Sequence, residues 1–315
     1  MSVASPAPPP AAPAAHAARP GVPPLLRLTR ALRRWALPAY AFLAVGYLVL
    51  PVLIMIGFSF NRPKGRSNLV WNEFSLDAWM APLGRPGLSD AVFNSLAIAT
   101  LSTIIATTLG VLIGLALVRH RFRGRDLTNL LIFLPMSTPE IVLGTSLLTM
   151  FIASAQWSFL PAGTLYPLGF VTLLISHVMF NISFVVVTIR ARLQGFPRHL
   201  EEAAMDLYAD EWTTFWKVTF PLILPGIMAA ALLAFSLSID DYVITAFTSG
   251  QTETFPLYIY GAQQRGIPVQ VNVIGTIIFV TAVGFVLLTT LMGRRQRPDH
   301  VHATASVSAT PKEFP

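Results

Sequence analysis

The sequence predicts an all-α membrane protein, a polytopic bundle of six transmembrane helices with one structured cytoplasmic segment. Three observations carry this. Of 315 residues, 54% are hydrophobic and 12% charged, about half the roughly 25% charged share of a soluble domain, and mean hydropathy is +0.61. Apolar residues come in uncharged runs of about 20, the length that crosses ~30 Å of hydrocarbon as helix. The runs are continuous rather than alternating, which excludes a closed barrel and leaves helix as the way to satisfy the backbone in lipid.

Residues 1–24 are almost all Pro, Ala and other small residues. Such a segment buries too little apolar surface to order itself, and no apolar core precedes a cleavage site. The expected organisation is a disordered tail with a basic pre-span segment over 1–35, a membrane domain over 36–295 and a second disordered tail over 296–315. The expected spans are 36–60, 91–118, 127–152, 167–189, 222–245 and 271–292. Pro51 in the first span and Pro135 and Pro139 in the third should kink their helices. Ala106, Gly110 and Gly114 recur every four residues in the second, a spacing that lets helices approach closely.

Basic residues orient the bundle. Arg27 to Arg34, Arg119 to Arg125, the group Arg190, Arg192, Arg198 and Lys217, and Arg294, Arg295 and Arg297 fall on one side. The other side has Arg62, Lys64, Arg66 and Arg85 in one longer loop, nothing in 153–166, and Arg265 in 246–270. The positive-inside rule puts the first side, and both termini, in the cytoplasm. This distribution also accounts for the net charge of +7 better than nucleic-acid binding does. The chain has no cysteine, which excludes disulfides, thiolate metal sites and cysteine nucleophiles.

The longest cytoplasmic connection, 195–221, is not a random linker. Glu201 to Leu207 are helix formers. Asp210 is placed to cap a second short helix on which Trp212, Phe215 and Trp216 share a face, with Pro221 ending it. From physics alone, this is either a rigid docking device on the membrane face or an ordinary interfacial amphipathic helix.

Charges inside spans call for an account, because each costs about 2.5–3.5 kcal/mol at a helix centre on insertion scales. Glu140 lies about 20 Å along its helix from the cytoplasmic end, and Asp240 and Asp241 lie near the outer end of theirs. They read either as a cation pathway, or as helix caps and structural pairs. His177 and Asn181, one turn apart, share a face. They are candidates for the same pathway or for interhelical hydrogen bonds, since nothing completes a metal-ligand set.

Glu202-Ala203-Ala204, then Leu207 and Ala209, then Phe215, Val218, Pro221 and Pro225-Gly226-Ile227 resemble the EAA loop of binding-protein-dependent ABC importer permeases. The family usually has Gly where this chain has Tyr208, and Gly there permits φ > 0, so Tyr208 implies a different turn or a looser approach. The likeness extends over about 36–295: Asn94-Ser95-Leu96, Arg121 to Arg125, Pro139-Glu140-Ile141-Val142, His177, Phe184 to Leu193, Ser236 to Ile244, Thr254 to Leu257 and Val271-Asn272. Together these are similar to the second permease subunits of spermidine/putrescine-type systems. The resemblance implies a type I, MetI-like permease of the bacterial inner membrane. It implies Glu202, Ala203, Ala204, Leu207, Tyr208, Ala209, Pro221, Pro225 and Gly226 as an ATPase-coupling loop. It also implies two copies of an ATPase subunit carrying ATP and Mg²⁺, a homologous permease and a periplasmic binding protein as partners.

Competing classes fare less well. The chain has no Gly-x-x-x-x-Gly-Lys-Ser/Thr run, so it is not itself the motor. A self-contained secondary transporter would need its own coupling-ion site and has no use for a docking loop. An intramembrane enzyme lacks a His-Glu-x-x-His pattern. No cofactor or metal is expected on this chain, and the cargo is expected to be a polyamine or another small organic solute.

Overall fold

The computed structural model describes residues 24–157, 161 and 165–294; side chains at 24–34, 285–286 and 288–294 lie outside that description. The expected tails at 1–23 and 296–315, and the side chains of Arg27 to Arg34, therefore lie outside the described residues. The chain forms two compact units, residues 1–54 and 55–315.

Helix α1, Pro24–Phe58, makes up the described part of the first unit and runs on into the second, passing through Pro38 and Pro51. Its side chains from Trp35 to Leu50 are almost all exposed and mostly apolar, as suits a helix solvated by lipid.

The second unit begins with a loop organised by two asparagines. Asn61 Nδ2 donates to Asn68 Oδ1 at 2.6 Å and to the Val70 carbonyl at 2.8 Å, and Asn68 Nδ2 donates to the Phe58 carbonyl at 2.7 Å. An isolated antiparallel bridge joins Asn61 to Phe74. Helices α2 (Asp77–Met80), α3 (Leu88–Arg119), α4 (Arg125–Ser137), α5 (Glu140–Ser154) and α6 (Phe170–Gln194) follow. The connection after α6 contains α7 (His199–Asp206) and α8 (Glu211–Thr214). A π turn, Phe215–Thr219, leads into α9 (Phe220–Ile239), and α10 (Val243–Thr248), α11 (Phe255–Arg265) and α12 (Val269–Arg294) complete the unit. Among the described residues, four helices are long and apolar enough to cross a membrane, or five if the bent pair α4–α5 is one span. The apolar helix at 269–284 is shorter than that test requires.

The core lies where α3, α6 and α9 pack against one another. Ala106, Val185, Ile189, Ile223, Ala230 and Ala234 meet there. The small stripe on α3 makes this possible. A Cβ on Gly110 would sit 2.5 Å from Val185 Cγ1, and one on Gly114 2.9 Å from Ile189 Cγ2. A second cluster joins α5, α6 and α10 through Leu143, Leu147, Phe151, Phe180 and Ile244. Gly144 again supplies the room, because its Cβ would meet the Phe247 ring at 2.6 Å.

Three expectations need correction. The third span is not one kinked helix: α4 and α5 meet at 111°. Thr138, which precedes Pro139, adopts ψ 133° because the proline ring disfavours the α region for its predecessor. The fifth span is not one continuous helix over 222–245, since α9 stops at Ile239 and α10 restarts at Val243. There the Asp241 carboxylate accepts from Thr245 N and Oγ1, both at 2.8 Å, satisfying the open first turn of α10 better than continued helix would. Finally, Pro221 does not end the short helix. It sits in the first turn of α9, and the preceding π turn absorbs the ring and the missing N–H.

The glycine contact gives a direct test. Gly110→Leu should overpack the α3–α6 seam and cost about 1–3 kcal/mol, read as a lowered Tm of the purified protein. Leucine at exposed Thr108 is the control and should leave Tm nearly unchanged.

Candidate functional site

The connection between α6 and α9 is an ordered helix pair. Asp210 caps α8, its Oδ1 accepting from Thr213 N at 3.3 Å, and hydrogen bonding to Thr213 holds its carboxyl below the usual range. Trp212, Phe215 and Trp216 form the expected aromatic face, with Trp216 centroids 5.7 Å from Trp212 and 5.2 Å from Phe215. Trp216 also meets Phe220 at 4.9 Å.

Helix α7 ends in a left-handed turn closed by Tyr208. Its φ is +64°. Tyr208 N–H donates to the Met205 carbonyl at 2.9 Å and Ala209 N–H to the Ala204 carbonyl at 3.1 Å. This is the paired Schellman closure that normally takes glycine. The expectation of a different turn is therefore corrected: the backbone makes the glycine turn with a tyrosine in it. Tyr208 is 99% exposed and Leu207 82% exposed. Glu202, Ala203 and Met205 are exposed as well, while Ala204 and Ala209 are half-buried. Pro221 and Pro225 are exposed along α9. Gly226 lies under the Arg192 stem, where a Cβ would come within 2.7 Å of Arg192 Cγ.

The residue that anchors this pair is Glu201, beside the predicted Glu202. Glu201 is buried and accepts from Arg119 at the end of α3 and from the Thr219 hydroxyl in the π turn. One carboxylate thus ties α7 to α3 and to the π turn that leads into α9. Charge-assisted bonds of this kind are about twice as strong as neutral ones. The cleft of about 480 Å³ beside it is lined by Arg119, His120, Arg198, Glu201 and Glu202. The sequence contains Arg119 and Thr219, but neither lies at a helical spacing from Glu201 that would mark it as a partner.

The intramembrane candidates divide into two groups. His177, Asn181 and Asp241 come together inside the subunit. His177 Nδ1 lies 2.6 Å from Ser238 Oγ and Nε2 lies 3.0 Å from Thr245 Oγ1 and 3.5 Å from Asp241 Oδ2. Ser238 Oγ is 3.0 Å from Ser102 Oγ, to which Asn181 Nδ2 donates at 3.4 Å. Donor counting orients the chain. Thr245 gives its proton to Asp241, so it accepts from His177 Nε2–H. Polar groups from α3, α6, α9 and α10 thus bond one another in a buried cluster, with Asn181 Oδ1 left without a partner. Ser102, Ser238 and Thr245 complete this chain; small hydroxyls on apolar helices carry no sequence signal of their own. Glu140 and Asp240, by contrast, are exposed. Glu140 opens α5 just after the 111° bend, and Asp240 closes α9 at its break. The segments beyond the two breaks, α5 and α10, pack on each other.

The chain is similar to known proteins. Residues 106–298 match the family described as binding-protein-dependent transport system inner membrane component. The chain is 36% identical to the spermidine/putrescine transport system permease protein PotC of Haemophilus influenzae over 258 residues, 82% of this chain and 96% of that one. It is also 36% identical to the putrescine transport system permease protein PotI of Escherichia coli over 244 residues, 76% of this chain and 85% of that one. A solved bacterial ABC transporter involved in the import of the acidic polysaccharide alginate shares the fold, with TM-score 0.64 at 16% identity over 86% of this chain and 100% of that one. The chain therefore belongs to the binding-protein-dependent transport system inner membrane component family.

Proposed function

We infer that this chain is the permease subunit of an ABC importer that carries a polyamine, spermidine- or putrescine-like, across the bacterial inner membrane. The observation that carries this is 36% identity, over most of both chains, to two permeases named for those cargoes. The chain acts as a transport component rather than an enzyme. ATP and Mg²⁺ sit on two copies of a partner ATPase, and a periplasmic binding protein delivers the cargo. A homologous permease completes the pathway. Six spans cross the membrane, α4–α5 and α9–α10 being broken ones and α12 the sixth, with both termini cytoplasmic.

The pathway role belongs to Glu140 and Asp240. A polyamine is a chain of ammonium groups that loses hydration on entering the membrane, and exposed carboxylates at helix breaks replace part of it. His177, Asn181 and Asp241 hold the bundle together from within. The loop carrying Glu202, Ala203, Leu207 and Tyr208 docks on the ATPase. Closure of the ATPase dimer moves that loop, and the Glu201 bonds pass the movement to α3 and α9.

Orientation is tested most simply. With no native cysteine, single cysteines label cleanly: one at Gln263 should react with an impermeant maleimide from the periplasm and one at Met205 only after lysis. The reverse pattern would overturn the topology.

For the pathway, Glu140→Gln and Asp240→Asn should each cut putrescine or spermidine uptake by about tenfold, a 1.4 kcal/mol effect, at normal abundance. Asp241→Asn should instead lower Tm, since an unmatched buried partner costs about 1–3 kcal/mol. Unchanged uptake in both exposed-acid variants would remove the pathway assignment.

For the docking loop, Glu202→Lys should uncouple ATP hydrolysis from the loaded binding protein by placing the wrong charge at the contact. Tyr208→Gly relieves a left-handed conformation that costs a non-glycine residue about 1–2 kcal/mol. Stability should therefore rise, while stimulated hydrolysis falls because the exposed ring no longer reaches the ATPase. Full coupling in both variants would show that this loop does not transmit the stroke.

A further inference from the structure

Three arginines from separate segments surround one cleft at the cytoplasmic end of the bundle. It measures about 360 Å³, with Arg125, Arg190 and Arg198 on its polar side and Leu117, Leu193 and Phe196 among its apolar walls. No carboxylate lines it. Among the described residues, none of the three arginines is in an ion pair. Arg190 Nη1 donates to Asn129 Oδ1 at 2.8 Å, but its Nε is buried without an acceptor. Three positive charges in one concavity repel, and a buried N–H without a partner is costly. An anion resolves both. Guanidinium forks match phosphate oxygens two at a time.

A second observation sets the cleft one helix in from lipid. Immediately after Arg125, α4 exposes Leu127, Leu130, Leu131 and Leu134. That is one unbroken stripe at i, i+3, i+4 and i+7, the pattern of a single helix face. It begins within one turn of the arginine. At about 100° per residue the stripe faces away from Arg125, Asn129 and buried Ile132, so α4 turns its arginine toward α6 and its leucines outward to lipid.

We propose that this cleft is a binding site for an anionic phospholipid, its phosphate held by Arg125, Arg190 and Arg198. Basic pockets between spans on the cytoplasmic side suit such headgroups. The proposal rests on the membrane placement given above and is independent of the cargo.

The test uses the full chain co-purified with its ATPase partner, incubated with phosphatidylglycerol or with phosphatidylcholine. Native mass spectrometry counts the retained lipid. Phosphatidylglycerol should be held about tenfold more tightly than phosphatidylcholine, and Arg125→Gln with Arg198→Gln should abolish that preference. These two are chosen because Arg190 is bonded to Asn129 and its loss could disturb the fold. The double Lys variant should retain part of the preference, since charge remains but the fork is lost. Equal retention of the two lipids, or an unchanged preference in the double Gln variant, would overturn the proposal. Displacement of phosphatidylglycerol by inorganic phosphate alone would make this a free-anion site and overturn the lipid assignment. Binding seen only after the ATPase is stripped away would make the cleft a partner interface instead. A periplasmic label at Met205 with the lipid preference intact would overturn the orientation and leave the lipid site standing.

Discussion

How closely α3 can lie against α6 governs the rest of this bundle. In lipid there is no hydrophobic drive to press one apolar helix on another, so association depends on van der Waals fit and on polar groups that meet across the seam. Gly110 and Gly114 leave no space for a side chain beside Val185 and Ile189. That approach brings Ser102 on α3 within reach of Asn181 on α6 and Ser238 on α9. The hydrogen-bond chain to His177, Thr245 and Asp241 then follows. Packing by absence of side chains and bonding by short hydroxyls are two sides of one design.

The two helix breaks follow from what lipid tolerates. Open backbone at membrane depth survives only where protein or a water-lined cavity satisfies it. At the α9–α10 break, Asp241 turns inward and satisfies the first turn of α10. At the α4–α5 break, Thr138 N–H still donates to the Leu134 carbonyl at 3.0 Å, and α5 restarts from Pro139, which has no N–H to satisfy. Each break leaves one acid outward, Glu140 and Asp240, and uses the neighbouring elements to lock α5 onto α10. Asp240 and Asp241 are adjacent in sequence yet take opposite roles, because successive residues point in different directions and only one direction leads to His177.

The α7–α8 pair is stiff because of what lies under it. Glu201 is bonded to the ends of α3 and the π turn, so a displacement of α7 cannot be absorbed by loop slack. Tyr208 holds a conformation that glycine would hold at lower cost and projects its whole ring into solvent. A residue kept in a disfavoured conformation with an exposed side chain is understood most simply through what that side chain meets.

The sequence alone determined the helical membrane class, the family and an ordered helical segment between α6 and α9. Run length, basic-residue asymmetry and the loop motif are local patterns that lipid thickness and helix period make legible. The stripe Ala106, Gly110 and Gly114 and the cap at Asp210 were legible for the same reason. The clamp at Glu201 rather than Glu202 was not, nor was the inward turn of Asp241 or the left-handed closure at Tyr208. Each depends on partners 18 or more residues away or on a backbone angle: Arg119 and Thr219 for Glu201, His177 for Asp241, φ +64° for Tyr208. Which of two neighbouring acids is buried is decided by the direction of one side chain relative to other helices. Only the packed tertiary structure sets that direction, because periodicity says which residues share a face but not what that face will meet.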